Sequence, residues 1–349
     1  MTLSRTVAAA GVFAATMITS AAATDVSGAG ATFPYPIYAK WAEAYKKEAG
    51  IVVNYRPIGS GDGIRQVQSK EVDFAATDMP LSLADLDMDG LAQFPTLTAG
   101  VVAVVNIDGV RAGDLTLDGA TLARIFLGEI KTWNDPAIRN LNPGVRLPPQ
   151  AITVVYRADG SGTTFLFTGY LAKASPDWRA RVGSATAVEW PAGVAAAGNE
   201  GVANDVARMK GSIGYVEYAY AKKNRLTYTK LVNREGNAIA PDIGAFAAAA
   251  AGANWEGTPG FGVILTDEGG AGTWPIAGAT FILMHKQPTD PGAAAATLKF
   301  FDWAYAKGGK MAEELDYVAM PASVVAAVRR LWVAQIKDAR GKPIYLPSK

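Results

Sequence analysis

The sequence has no cysteine and only one histidine among its 349 residues. The first absence excludes disulfides, thiolate metal sites and cysteine nucleophiles. It also removes the acceptor for an N-terminal lipid anchor. One histidine cannot furnish a His-x-x-x-His metal pair. Any Ser-His-Asp triad would have to recruit His285, at the end of an apolar run, and no Gly-x-Ser-x-Gly elbow accompanies it. An excess of either charge is missing too. Lys and Arg number 33 against 32 Asp and Glu, a formal net charge of +1, which argues against broad capture of nucleic acid or membrane surface. Neither the phosphate-loop pattern ending in Gly-Lys-Ser/Thr nor Gly-x-Gly-x-x-Gly occurs, so nucleotide binding is disfavoured. There is no repeat of solenoid period.

What is present is apolar material for a large core. Half of the residues are hydrophobic, and the length suits two domains or one long α/β unit. The N-terminus reads as an export leader: Arg5 is a minimal positive region, Val7 to Ile18 is mostly apolar, and Ala21-Ala22-Ala23 offers a cleavage site before Thr24. The apolar stretch is too short and alanine-rich for a membrane span. Residues 1–23 are therefore expected to be removed, leaving a free, unlipidated protein of balanced charge in a bacterial periplasm.

Short apolar runs alternate with helical patterns along the chain, as in α/β folds. Strands are predicted at Ile51–Pro57, Phe74–Thr77, Gly100–Asn106, Ile152–Tyr156, Ile213–Val216 and Thr280–His285. The almost wholly apolar Gly100–Asn106 run suits a strand buried on both faces. Ile37, Trp41 and Tyr45 recur every four residues, and Leu298, Phe301 and Tyr305 repeat at i, i+3 and i+7. Both are core faces of helices. No Pro/Ser-rich linker divides the chain, so it is expected to cross between two lobes and return, at Gly100–Asn106 and Trp274–Leu283.

Three segments place small residues and hydroxyls at predicted helix starts: Gly28–Pro34, Gly59–Gly63 and Asp159–Thr164. A helix N-terminus carries unpaired N–H groups and the positive end of the dipole. Glycine admits a ligand close to that backbone, and Ser or Thr adds donors, so an anion can be held with few formal charges. Singly, each segment also reads as an ordinary strand-to-helix turn with a capping serine. Arg157 ends a strand beside the third segment, where it is either a five-donor anion ligand or a surface or Asp-paired arginine. Asp78 ends the Phe74–Thr77 strand, where α/β sheets present ligand-facing groups, unless it merely caps a helix. A carboxylate suits an anion pocket only if the ligand still carries a proton. A binder of another oxyanion and an exported phosphatase-like enzyme remain as rivals, the latter lacking any metal cluster or activated nucleophile.

Gly28–Pro34, Asp73–Ser82, Arg157–Thr163, Ile213–Ala221 and Lys299–Tyr305 together resemble the periplasmic phosphate-binding proteins of bacterial high-affinity phosphate ABC transporters. The resemblance runs over essentially the whole mature chain. It implies a two-lobed periplasmic-binding-protein (type II) α/β fold, its lobes joined by hinge strands, with ligand in the cleft. The lobes would comprise residues 24–103 plus 279–349, and 104–278. It further implies that Thr32 contributes a hydroxyl, Phe33 a backbone N–H, and Ser60 a donor from its helix start, while Asp78 accepts the proton of the phosphate. Arg157 would pair with the anion, Ser161, Gly162 and Thr163 would donate, and Asp159 would orient Arg157. The sequence departs at Gly61-Asp62, where the family commonly has Ser-Gly, so no side chain at 61 can contribute. The expected ligand is mono- or dibasic inorganic phosphate and the expected partner an ABC transporter membrane complex. No cofactor, metal, catalytic residue or nucleic acid is expected, and the protein should be a monomer.

Overall fold

Leu91–Val105 is buried at all 15 positions, and in the computed structural model, which describes residues 25–347, it forms the strand around which the molecule is organised. The predicted leader, with its cleavage site, and residues 348–349 lie outside the described residues. The principal strands are β1 (Val26–Gly30), β2 (Val53–Pro57), β3 (Phe74–Thr77), β4 (Leu91–Val105), β5 (Thr153–Arg157), β6 (Val194–Ala196), β7 (Ser212–Glu217) and β8 (Ala277–His285). Their spatial order is β2-β1-β3-β8-β4-β7-β5-β6.

Strand β4 belongs to both halves of this array. Its residues from Leu91 to Gly100 run antiparallel to β8, whereas Val101 to Val105 run antiparallel to β7. On one side β1 pairs in parallel with β2 and β3; on the other β5 pairs in parallel with β6 and β7. Two lobes result, and β4 passes from one into the other at Gly100–Val101. The return passes close by: the Trp274 indole N–H donates to the Val101 carbonyl at 2.9 Å, and Val101 N–H to Ile276 O at 2.8 Å.

The predicted strand at Gly100–Asn106 is thus the end of a longer one. Pro95 hides its first half, because proline cannot donate to a central ladder. The register between β4 and β8 shifts between Thr280 and Phe281, so that Phe281 faces Pro95 and Thr280 faces Leu97. The proline is accommodated at this bulge. Gly28-Ala29-Gly30, expected as a loop leading into a helix, is instead the end of β1. Gly30 adopts φ +135°, and a Cβ there would stand 2.1 Å from the Ala76 carbonyl oxygen, so only glycine permits β1 to approach β3 so closely.

The helix Tyr35–Ala49 buries Ile37, Tyr38, Trp41 and Tyr45. These pack on the helix Pro291–Lys307, with ring centroids 6.1 Å apart for Tyr38–Phe301 and 5.4 Å for Tyr45–Phe300. Helices opening at Tyr35, Ser60, Gly162 and Gly198 follow β1, β2, β5 and β6. All four N-termini therefore lie at the carboxyl ends of parallel strands, where open α/β sheets bind ligands.

Candidate functional site

At those four helix starts the two lobes meet. The Gly61 N–H of the first lobe donates to the Gly160 carbonyl of the second at 2.8 Å. Ser60 opens its helix with a buried side chain, and its Oγ accepts from the Asp78 N–H at 3.3 Å and, across the cleft, from the Gly162 N–H at 3.0 Å. Both lone pairs of that hydroxyl are then engaged, so its proton remains to be donated elsewhere. Ser161 caps the helix Gly162–Ala174, accepting from the Thr164 N–H at 3.0 Å. A side chain at 162 would collide with Asp78 and Ser60, its Cβ 2.5 Å from Asp78 Oδ2. Of the nine residues singled out from the sequence, Ser60, Asp78 and Gly162 meet one another and Arg157 pairs with Asp159. Thr32 and Thr163 share Asn199, with Phe33 and Ser161 as chain neighbours of Thr32 and Gly162. The Gly162 N–H, expected to face a ligand, is directed at Ser60.

Asp78 is 1% exposed. It caps no helix, that part being played by Ser82, which accepts from the Asp85 N–H at 3.2 Å. Its Oδ1 accepts from the Thr280 hydroxyl at 2.7 Å, whereas Oδ2 is buried without a partner among the described residues. Burial pushes the Asp78 carboxyl up to about 7, the Thr280 bond and the Arg157 charge pulling it partly back. Arg157 is 4% exposed, so it is not a surface arginine, but it is Asp-paired as the other alternative had it. Its Nε donates to Asp159 Oδ1 at 2.8 Å and its Nη2 to Asp159 Oδ2, while Nη1 is buried and without a partner among the described residues. Burial alone would raise Asp159, but the hydrogen bond and charge of Arg157, with the Gly198 N–H at 2.9 Å, hold it below the usual carboxylate range. One unpartnered acceptor and one unpartnered guanidinium donor thus come from opposite lobes. Buried polar atoms are seldom left so, and together they suit an anion that carries a proton.

The segment Ala31–Phe33 is fastened by three tyrosines. Tyr55 donates to the Ala31 carbonyl at 2.7 Å, Tyr220 to that of Thr32 at 2.8 Å and Tyr317 to that of Phe33 at 2.8 Å. The Tyr317 hydroxyl also lies 2.9 Å from Glu217 Oε2. One phenolic proton cannot serve both oxygens, and a carbonyl cannot donate. When Tyr317 donates to Phe33, a protonated Glu217 must donate to Tyr317. Burial agrees, pushing Glu217 up to about 8, against the Ala219 N–H and Tyr317. Because this folded value exceeds the ordinary one of 4.5, the folded state holds the extra proton between the two. Stability should therefore fall as pH rises through that window, by roughly 1 kcal/mol per pH unit. Urea titrations across the window should show this slope reduced in Glu217→Gln; an unchanged slope would place the titration elsewhere.

A cavity of about 520 Å³ opens at the cleft mouth, lined by Thr32 and Asp159 together with Tyr35, Tyr220, Glu200 and Lys223. Ser60, Asp78 and Arg157 are not among its walls, so the polar cluster lies deeper than this opening. Residues that the sequence reading gave no part include Thr280, Tyr215, Glu217, Tyr317 and Asn199. The Tyr215 hydroxyl accepts from the Arg157 N–H at 3.2 Å and contacts Thr164 Oγ1 at 2.6 Å. Only Asn199 carried a signal of the kind already used, a glycine and a polar residue opening a helix.

The family described as a PBP superfamily domain matches residues 16–307. The phosphate-binding protein PstS of Pasteurella multocida is 50% identical over 323 residues, covering 93% of this chain and 94% of that protein. PstS of Haemophilus influenzae is 50% identical over 318 residues, covering 91% and 95%. Among solved structures, a human phosphate-binding apolipoprotein shares the fold with a TM-score of 0.71 at 21% identity, over 93% of this chain and 100% of that one.

Proposed function

The chain belongs to the PBP superfamily and, within it, to the phosphate-binding proteins of the PstS type, and from that premise we propose that it binds inorganic phosphate between its lobes for an ABC-type importer. The observation that carries the reading is the pair of buried, unpartnered atoms, Asp78 Oδ2 and Arg157 Nη1. The guanidinium matches an anionic oxygen and the carboxylate accepts the ligand's proton. Thr32, Ser60, Ser161 and Thr163 supply hydroxyl donors, Phe33 and Gly162 supply N–H groups, and Asp159 holds Arg157 in its plane. For Gly162 this means exchanging Ser60 for a ligand oxygen on binding.

The lobes comprise residues 24–103 with 279–349, and 104–278, boundaries a few residues beyond the passage of β4 at Gly100–Val101 and the return at Trp274–Ala277. Closure brings Gly61 onto Gly160, and ligand shifts the open–closed balance through contacts that need both lobes. The protein works in the periplasm after loss of residues 1–23. No described helix is long and apolar enough to cross a membrane. It is a carrier rather than an enzyme: the polar cluster offers an anion donors and one acceptor, and no activated nucleophile. Equilibrium dialysis of the purified protein against labelled phosphate should give saturable one-to-one retention, with arsenate competing and a chromogenic phosphate ester left intact. Absence of saturable retention would refute the reading.

A further inference from the structure

Asn199, the second residue of the helix Gly198–Arg208, is fully buried between the lobes. Its backbone N–H and its Nδ2 both point at Thr32 Oγ1, at 3.3 and 2.7 Å, and Nδ2 also reaches Thr163 Oγ1 at 3.3 Å. The orientation of the amide is fixed by its other end. Oδ1 lies 3.0 Å from the Glu217 N–H, which can only donate, so the oxygen must face Glu217 and the NH₂ must face the threonines.

We infer that Asn199 is a positioning residue that sets the proton polarity of the binding hydroxyls, compelling Thr32, and with it Thr163, to donate to the ligand. A threonine hydroxyl has two lone pairs and one proton. On Thr32 both lone pairs are taken by Asn199 donors, so the proton must go elsewhere. Thr163 has one lone pair taken and is biased the same way. Neither hydroxyl then readily accepts a proton from the ligand, which leaves that part to Asp78 alone. Because Thr32 and Asn199 stand on opposite lobes, the polarity of Thr32 is imposed only when the cleft is shut, whereas Thr163 shares a lobe with Asn199. The open protein is thus spared a rigidly directed donor, and the shut one gains it at the moment the ligand is enclosed.

This rests on the phosphate-binding reading above, and the test separates the two. Phosphate affinity is measured by titration calorimetry for the wild type, Asn199→Ala, Thr32→Val and the double variant. Asn199→Ala and Thr32→Val should each weaken binding about tenfold, the range of a hydrogen bond to a charged group. In the Thr32→Val background, Asn199→Ala should add less than about threefold, because the main hydroxyl it directs is gone and only the weaker bias on Thr163 remains. Equal losses in both backgrounds would show that Asn199 acts by packing alone and would overturn the inference. If Asn199→Ala does not fold, Asn199→Asp keeps the acceptor for Glu217 and replaces the donor arm by an acceptor. Binding should then fall by more than tenfold, and a fall of twofold or less would overturn the inference. A wild type that fails to retain phosphate overturns both readings; a wild type that retains it while Asn199→Ala matches it overturns only this one.

Discussion

Replacing Arg157 by alanine is expected to weaken phosphate binding on the order of 10²- to 10³-fold, because truncating one partner of a buried charge pair costs about 2–5 kcal/mol. Two losses combine. The anion loses the donor at Nη1, and Asp159, whose oxygens accept from Nε and Nη2, is left as an unneutralised carboxylate beside an incoming negative charge. Arg157→Lys should fall between the two, since an ammonium keeps the charge but cannot offer a planar pair to Asp159 and a further donor to the ligand. Calorimetric titration with phosphate reads the effect, and thermal unfolding without ligand separates it from misfolding. An alanine variant within threefold of the wild type would remove Arg157 from the site.

The second large effect concerns sulfate. Near neutral pH phosphate retains at least one proton and sulfate none. Asp78 Oδ2 has no other partner among the described residues, so sulfate would place an anionic oxygen against a buried carboxylate. Sites built around one ligand hydrogen bond reject analogues lacking it by roughly 10⁴-fold or more, and discrimination of that order is expected at pH 8. Since burial holds the carboxyl at about 7, it gains a proton as pH falls below that value and becomes able to donate. Sulfate exclusion should relax toward pH 5, with sulfate binding accompanied by proton uptake. In Asp78→Asn the amide oxygen takes the Thr280 hydroxyl, which donates to Oδ1, and the NH₂ replaces Oδ2. The sulfate-to-phosphate affinity ratio should then rise by at least 10²-fold, at the low end of what a buried unpaired charge costs. Competition by sulfate against labelled phosphate measures this; tight sulfate binding to the wild type at pH 8 would sink the role given to Asp78.

The site was more legible in the sequence than the strands leading to it. Thr32, Ser60 and Ser161 stood out as hydroxyls among glycines at three helix starts, and Asp78 and Arg157 as charges at strand ends, because those places follow from local order alone. Strand β1 was hidden by its glycines, which are required by the approach of β3 and carry no strand propensity. The first half of β4 was hidden by Pro95, tolerated only because of a bulge in the pairing with β8. Tyr220 and Tyr317 are core aromatics and Tyr55 packs against that core. Their hydroxyl ends meet one segment from positions 55, 220 and 317, and no pattern along the chain encodes such a meeting.

Two of those three hydroxyls, those of Tyr55 and Tyr220, have an electronic consequence; the third meets the Phe33 carbonyl, whose amide partner is Pro34 and carries no hydrogen. A carbonyl and the N–H of the following residue belong to one conjugated amide, so drawing electron density toward the oxygen makes the hydrogen at the other end more acidic. Tyr220 bonds the Thr32 carbonyl, and the hydrogen at the far end of that amide is the one on Phe33. Tyr55 acts likewise on the Ala31 carbonyl and hence on the Thr32 N–H. The donor strength of this segment is therefore raised by polarisation through two tyrosine side chains, one of them brought up from the opposite lobe.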